Sequence, residues 1–155
     1  MEMPEPQVQI QTLYLTPNSQ THTTVLWVSR HPPIEAQIKA LEEKLGAVKI
    51  IQLSGFIPNA EFVVEKAKEV GAKYIVPVLP LSFIARLVEL SRRNGFTVLW
   101  AEMQQVSIID HEPVEGKDYD PATEVWIKGY ENTYKIMRFK QYHIIKAIRL
   151  ELEPW

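Results

Sequence analysis

The chain has no cysteine. That one absence excludes disulfides, thiolate metal sites and a cysteine nucleophile, and it suits a reducing, cytoplasmic location. No apolar run approaches the roughly 20 residues of a membrane span, so no membrane association is expected. The opening Met1-Glu2-Met3-Pro4-Glu5-Pro6 is acidic and broken by proline, which does not read as a signal peptide. An excess of positive charge is also missing. The net charge is -2, so no global basic field points to long nucleic acid, although a small anionic ligand needs only a local positive site. No Gly-x-Gly-x-x-Gly follows the first buried strand and no Gly-Lys-Ser loop occurs, which argues against ordinary dinucleotide and nucleoside-triphosphate sites. His22, His111 and His143 lie far apart, with no helix-face pair and no Glu-x-x-His spacing, so no metal is expected.

What is present is an ordinary globular composition over 155 residues, 46% apolar and 23% charged, enough for one domain with a real core. The organising stretch is Val25-Leu26-Trp27-Val28-Ser29-Arg30-His31-Pro32-Pro33. Four apolar residues without a break read as a strand buried on both faces. A polar turn follows, then a helix with Ile34, Ile38, Leu41 and Leu45 on one face and Gly46 as its stop. In an open α/β sheet such a turn lies at the carboxyl end of the strand, where ligands bind.

Before this stretch, Val8 to Leu15 alternates like a half-buried strand. After it, Val48 to Leu53 reads as a strand, and a helix capped by Asn59 carries Ala60, Val63, Val64, Ala67 and Val70 to Gly71. Tyr74 to Leu79 is the next strand, with Pro77 placed near its end because proline cannot donate to a ladder. Pro80-Leu81-Ser82 opens a helix with Phe83, Leu87 and Leu90 on one face, closed by Asn94-Gly95. Phe96 to Ala101 is a further strand. Four buried strands alternating with three helices predict a mostly parallel sheet. After Met103 the texture changes. Gln105 to Ile109, Glu124 to Lys128, Thr133 to Phe139 and Tyr142 to Leu152 read as strands with no helix between them, separated by a loop from Glu112 to Ala122 and a hairpin turn at Gly129-Tyr130-Glu131-Asn132. The expected organisation is one domain over 1–155, an α/β core over 22–104 and an antiparallel β extension over 105–155, the extension pairing with the amino-terminal strand.

Ser29, Arg30 and His31 are the leading candidates for chemistry. Arginine can clamp a phosphate in a fork, histidine can move a proton near neutral pH, and serine can hydrogen-bond a ligand oxygen. The plainer reading is a polar turn before a helix. If the four core strands run in the order 2-1-3-4, the turn at Leu79-Pro80-Leu81-Ser82 faces Arg30 and His31 across the switch point, and the helix amide groups there favour an anion. The plainer reading of Pro80 and Ser82 is a helix start. Ser54, Gly55 and Asn59 line one rim of such a cleft and Glu102, Gln104 and Gln105 the other, though turn chemistry explains each alone. Arg86 reads as a solvated charge. Tyr134, Phe139 and Tyr142 among Lys135, Arg138, Lys140 and Lys146 form a basic-aromatic patch that could stack bases or guard a sheet edge.

Val28-Ser29-Arg30-His31-Pro32 after a buried strand, with the later Leu79-Pro80 turn, resembles the small stand-alone CRISPR-associated proteins of type III systems, the CARF-like ring nucleases. The resemblance covers Thr24 to Glu102. Where the family pattern has a glycine soon after the motif, this chain has Pro33 and Ile34. The resemblance implies a Rossmann-like fold and a homodimer with cyclic oligoadenylate across its two-fold axis. It also implies metal-independent cleavage without a cofactor, with Arg30 and His31 as the catalytic pair and Ser29 and Ser82 positioning phosphates. Two other classes stay open: a non-catalytic cyclic nucleotide sensor on the same fold, and a structural or interaction protein.

Overall fold

The computed structural model describes residues 7–155, so the acidic opening Met1 to Pro6 lies outside the described residues. In chain order the elements are β1 (Val8–Leu15), β2 (Thr23–Val28), α1 (Glu35–Leu45), β3 (Val48–Gly55), α2 (Ala60–Val70), β4 (Tyr74–Pro77), α3 (Leu81–Asn94), β5 (Thr97–Ile109), β6 (Glu124–Lys128) and β7 (Tyr134–Ile144). The strands hydrogen-bond in the order β1-β3-β2-β4-β5-β7-β6. This is a mixed α/β fold with both parallel and antiparallel pairs.

The chain forms two compact units. The first holds the described residues up to Pro32, then Ala47–Trp100 and Ile144–Trp155. Within it β2 pairs in parallel with β3 on one side and β4 on the other, and β4 pairs in parallel with β5. The four core strands therefore stand in the order 2-1-3-4. From β2 the chain goes outward to β3, and from β4 it goes to β5 on the other side, so the switch falls between β2 and β4. Val25, Leu26, Trp27 and Val28 are all buried, as the unbroken apolar run requires. α2 and α3 lay Val63, Ala67, Ile84, Leu87 and Val88 against Leu26, Val28, Leu53 and Ile75. At about 25 cal/mol per Å² of apolar surface removed from water, this layer is the main stabilising term of the unit. Asn59 caps α2, its Oδ1 accepting from the Phe62 N–H at 2.8 Å. β4 ends at Pro77, and the ladder resumes with the Val78 N–H donating to the Val28 carbonyl at 2.9 Å.

Two expectations about the strands fail in this unit. β1 does not pair with the carboxyl third. It lies antiparallel on β3, from Val8↔Gly55 to Leu15↔Lys49, with an irregularity between Thr12 and Tyr14. Ile10, in the regular part of the register, is exposed, so the strand does not follow the simple alternation. The segment from Tyr142 to Leu152 is not a strand of its own either. After Ile144 the Ile145 N–H donates to the Val98 carbonyl at 2.9 Å, and Ile145 and Ile148 pack against the apolar cluster. Beyond this bond no ladder continues among the described residues, and Leu150 and Leu152 are exposed.

The second unit holds Pro33–Gly46 and Ala101–His143. Here two expected breaks disappear. Phe96 to Ala101 and Gln105 to Ile109 belong to one strand, β5, and Thr133 to Phe139 runs on through Tyr142 in β7. β6 and β7 pair antiparallel about the Gly129–Asn132 turn, from Glu124↔Arg138 to Lys128↔Tyr134. The aromatic patch is spent on internal contacts. Trp126 and Tyr134 meet edge to face at 5.6 Å, Phe139 and Tyr142 lie 5.0 Å apart, and the Tyr142 hydroxyl donates to the Gln37 carbonyl at 3.1 Å. Burial raises the Tyr142 phenol well above its usual range. Arg138 is paired with Glu124 at 2.9 Å.

The loop after β5 carries a pH-sensitive clasp. The His111 ring bridges Asp110 and Asp118, each at 3.2 Å, and Asp118 also accepts the Val114 N–H at 2.8 Å. Hydrogen bonds first to Asp110 and then to Asp118 raise the imidazole above its ordinary value of about 6.5. A raised folded value means the clasp is complete below the unfolded value and is lost as pH rises through the folded one. An NMR titration of the His111 ring is expected to give a midpoint above that of a model peptide, lowered by Asp118→Asn. A model-peptide midpoint would remove the clasp.

Candidate functional site

The turn after β2 is held by bonds that its own sequence cannot reveal. The Ser29 Oγ accepts the His31 N–H at 3.1 Å, and the Trp27 Nε1–H donates to the His31 carbonyl at 2.8 Å. The buried Gln52 of β3 donates from Nε2 to the Ser29 carbonyl at 2.8 Å. Its Oε1 accepts from Nε2 of Gln11 on β1 at 2.7 Å. A relay of amide bonds from β1 through β3 thus holds the Ser29 carbonyl, while Arg30 and His31 are exposed. A hydroxyl that accepts from an N–H keeps its own proton to donate, so Ser29 can still bond an oxyanion.

At the carboxyl ends of β2, β3 and β4 lies a cleft of ≈ 740 Å³. Val28 to His31, Leu53 to Ile57 and Val78 to Pro80 line it, with Gln7 and Phe83. No carboxylate is among these lining residues. Arg30, His31, Ser29, Ser54 and Gln7 share this lining with the apolar Phe56, Ile57, Val78 and Phe83. A cleft lined by cationic and donor groups together with aromatic side chains suits a ligand with a flat apolar ring and an anionic group.

Of the candidate residues, Ser29, Arg30, His31, Ser54, Gly55 and Pro80 are brought together here. Five are not in the lining, Gln105 within β5 among them. The Asn59 side chain is occupied by its cap bond. Ser82 is exposed in the first turn of α3. Glu102 and Gln104 fall in the second unit, where Glu102 accepts from or pairs with the His143 Nε2 at 2.6 Å and lies 3.8 Å from the Lys140 Nζ. Arg86 is tied to Glu61 at 2.9 Å and Glu89 at 3.3 Å. A residue of this site that carries no motif is Gln52. Its signal is a lone amide inside the apolar run Ile50-Ile51-Gln52-Leu53, since a polar group in a buried strand is expected to have a bonding partner.

Gly55 is required by geometry. Its φ is +95°, in the region that favours glycine, and a Cβ there would stand 2.2 Å from the Gln7 carbonyl oxygen. Gly55→Ala is therefore expected to cost about 1–2 kcal/mol from backbone strain alone, with the clash adding to it. Chemical denaturation would show a lowered midpoint, and an unchanged midpoint would refute the close approach.

Among the described residues no group of three or more His, Asp or Glu is placed to hold a metal ion, and no helix is long and apolar enough to cross a membrane. Compared with known protein families, curated proteins and solved structures, the chain has no significant match in any of the three.

Proposed function

We propose that this protein is a ring nuclease that binds cyclic oligoadenylate and cleaves it without a metal or other cofactor. The observation that carries this reading is the cleft at the β2–β4 switch, whose lining brings Arg30 and His31 together with Phe56 and Phe83 and, among the described residues, includes no carboxylate. In this reading the α/β core is Rossmann-like, of the CARF type, and the antiparallel strands after it are an extension of that core. The protein acts as a cytoplasmic homodimer. A ring with rotational symmetry suits an isologous interface, each subunit contributing one set of these groups.

The reaction follows from the groups present. The ligand is held so that a ribose 2′-oxygen lies in line with the adjacent phosphorus. The 2′-oxygen attacks, the bond from phosphorus to the 5′-oxygen breaks, and a 2′,3′-cyclic phosphate and a 5′-hydroxyl result. The 2′-proton goes to a base and the 5′-oxygen receives a proton, the two roles open to the His31 imidazole. The Arg30 guanidinium offsets the charge that grows on the phosphorane oxygens. Ser29 and Ser54 donate to phosphate oxygens.

The test is incubation with cyclic tetra- and hexa-adenylate, with and without a chelator. Chelator-resistant turnover to linear product is the expected result. Binding without turnover would replace the enzyme by a cyclic nucleotide sensor. Neither binding nor turnover would leave a structural or interaction protein. Light scattering is expected to show a dimer at micromolar concentration, and a monomer would remove the two-fold site.

A further inference from the structure

α3 lines the first cleft with its opening turn, and its last turns line a separate cavity. This second cavity has a volume of ≈ 260 Å³ and lies between Val88, Ser91 and Arg92 of α3, Phe96 to Val98 at the start of β5, and Ile144 to Lys146. Its lining is mostly apolar. Ser91 is 1% exposed, and among the described residues its Oγ is the buried side-chain polar atom without a hydrogen-bond partner. Folding normally pairs such a hydroxyl, because leaving it unpaired forfeits its hydration without return. Arg92 and Lys146, both exposed, supply two cationic side chains, and the Arg92 guanidinium also donates to the Lys146 carbonyl. No carboxylate is in the lining.

We propose that this cavity is a second binding site, for a small carboxylate with an apolar body. The apolar body fills the space between Val88, Phe96, Val98 and Ile145. The carboxylate lies toward Arg92 and Lys146 and accepts from the Ser91 hydroxyl, completing its hydrogen bonding. The volume admits only a molecule of small size, below the usual range of roughly 300 to 1,000 Å³ for ligand pockets. Lined by α3, β5 and the segment after Ile144, the bound acid would fasten that segment to the helix.

Hexanoate is the probe, with hexanol and hexylamine as neutral and cationic controls of the same chain. Titration of the full-length protein followed by NMR is expected to show saturable hexanoate binding, with shifts at the amides of Ser91, Val98 and Ile145. Hexanol is expected to bind at least tenfold more weakly and hexylamine not at all. Ser91→Ala is expected to weaken hexanoate roughly tenfold, the scale of one hydrogen bond to a charged group. Its melting temperature without ligand should be equal to or above the parent's, because no native bond is lost. Arg92→Gln provides the second variant, and its hexanoate affinity should approach that of hexanol. The proposal is overturned if no probe saturates, if hexanol matches hexanoate, or if Ser91→Ala binds like the parent. Cleavage of cyclic oligoadenylate is not the readout, so this site and the first cleft stand or fall separately.

Discussion

Arg30→Ala is expected to slow single-turnover cleavage of cyclic tetra-adenylate by on the order of 100-fold or more, the usual loss for one donor aimed at developing oxyanion charge. The variant should melt with the parent. The Arg30 side chain is exposed and makes no ion pair or hydrogen bond among the described residues, so folding has nothing to lose with it. That separation makes the experiment decisive, because a rate effect cannot be blamed on instability. His31→Ala divides the mechanism further. Its backbone holds the turn through the Ser29 hydroxyl and the Trp27 indole, and both bonds survive loss of the ring. A loss of roughly 100-fold with binding kept assigns proton transfer to the imidazole. A much smaller loss means that positioning and Arg30 carry the reaction. Lys135→Ala, exposed on β7, is the control and should turn over like the parent. Parent rates in both Arg30→Ala and His31→Ala would overturn the site.

Gln52→Leu is expected to lower stability by about 2–4 kcal/mol, since two hydrogen bonds are lost and a carbonyl is left unpaired, each at roughly 1–3 kcal/mol when buried. The residue is 4% exposed, and its amide spans from Gln11 to the Ser29 carbonyl. Gln11→Leu removes only the outer bond at an exposed position and should cost about 1 kcal/mol or less. Denaturant midpoints of the two variants provide the comparison, and equal losses would show that the inner bond adds nothing. The catalytic consequence is separable from unfolding. At temperatures where Gln52→Leu remains folded, a turn freed by about 1 Å is expected to lose on the order of 100-fold in cleavage. A folded Gln52→Leu with parent turnover would show that the clamp is not needed to aim Arg30.

Much of the first unit was legible in the sequence because its signals are local. Val25 to Val28 read as buried on both faces and are buried, Asn59 and Gly71 bracket α2, and the proline expected near the end of β4 is its last residue, two short of the expected Leu79. The 2-1-3-4 order was only a condition in the sequence, and the pairing of β2 between β3 and β4 met it. The carboxyl third was read less well. Polar residues at 102–105 looked like a break but lie within one long strand, and the segment past Ile144 looked like a strand but only places Ile145 and Ile148 against the first unit's core, with Leu150 and Leu152 exposed. Alternation reports which side chains face an apolar surface, whereas a strand also needs a neighbour to accept its backbone bonds, and no local pattern carries that neighbour's identity. The site divides the same way. The residue types at Ser29-Arg30-His31 and their place after a buried strand were determined by the sequence alone. Which residues join them was decided by the tertiary structure: Gln52 reaches the Ser29 carbonyl across 23 positions of chain, and Phe56 and Val78 enter the cleft because three parallel strands end at one level. Hydrogen bonds and apolar contacts act over a few ångströms of space, so their partners are set by the order of the strands rather than by distance along the chain.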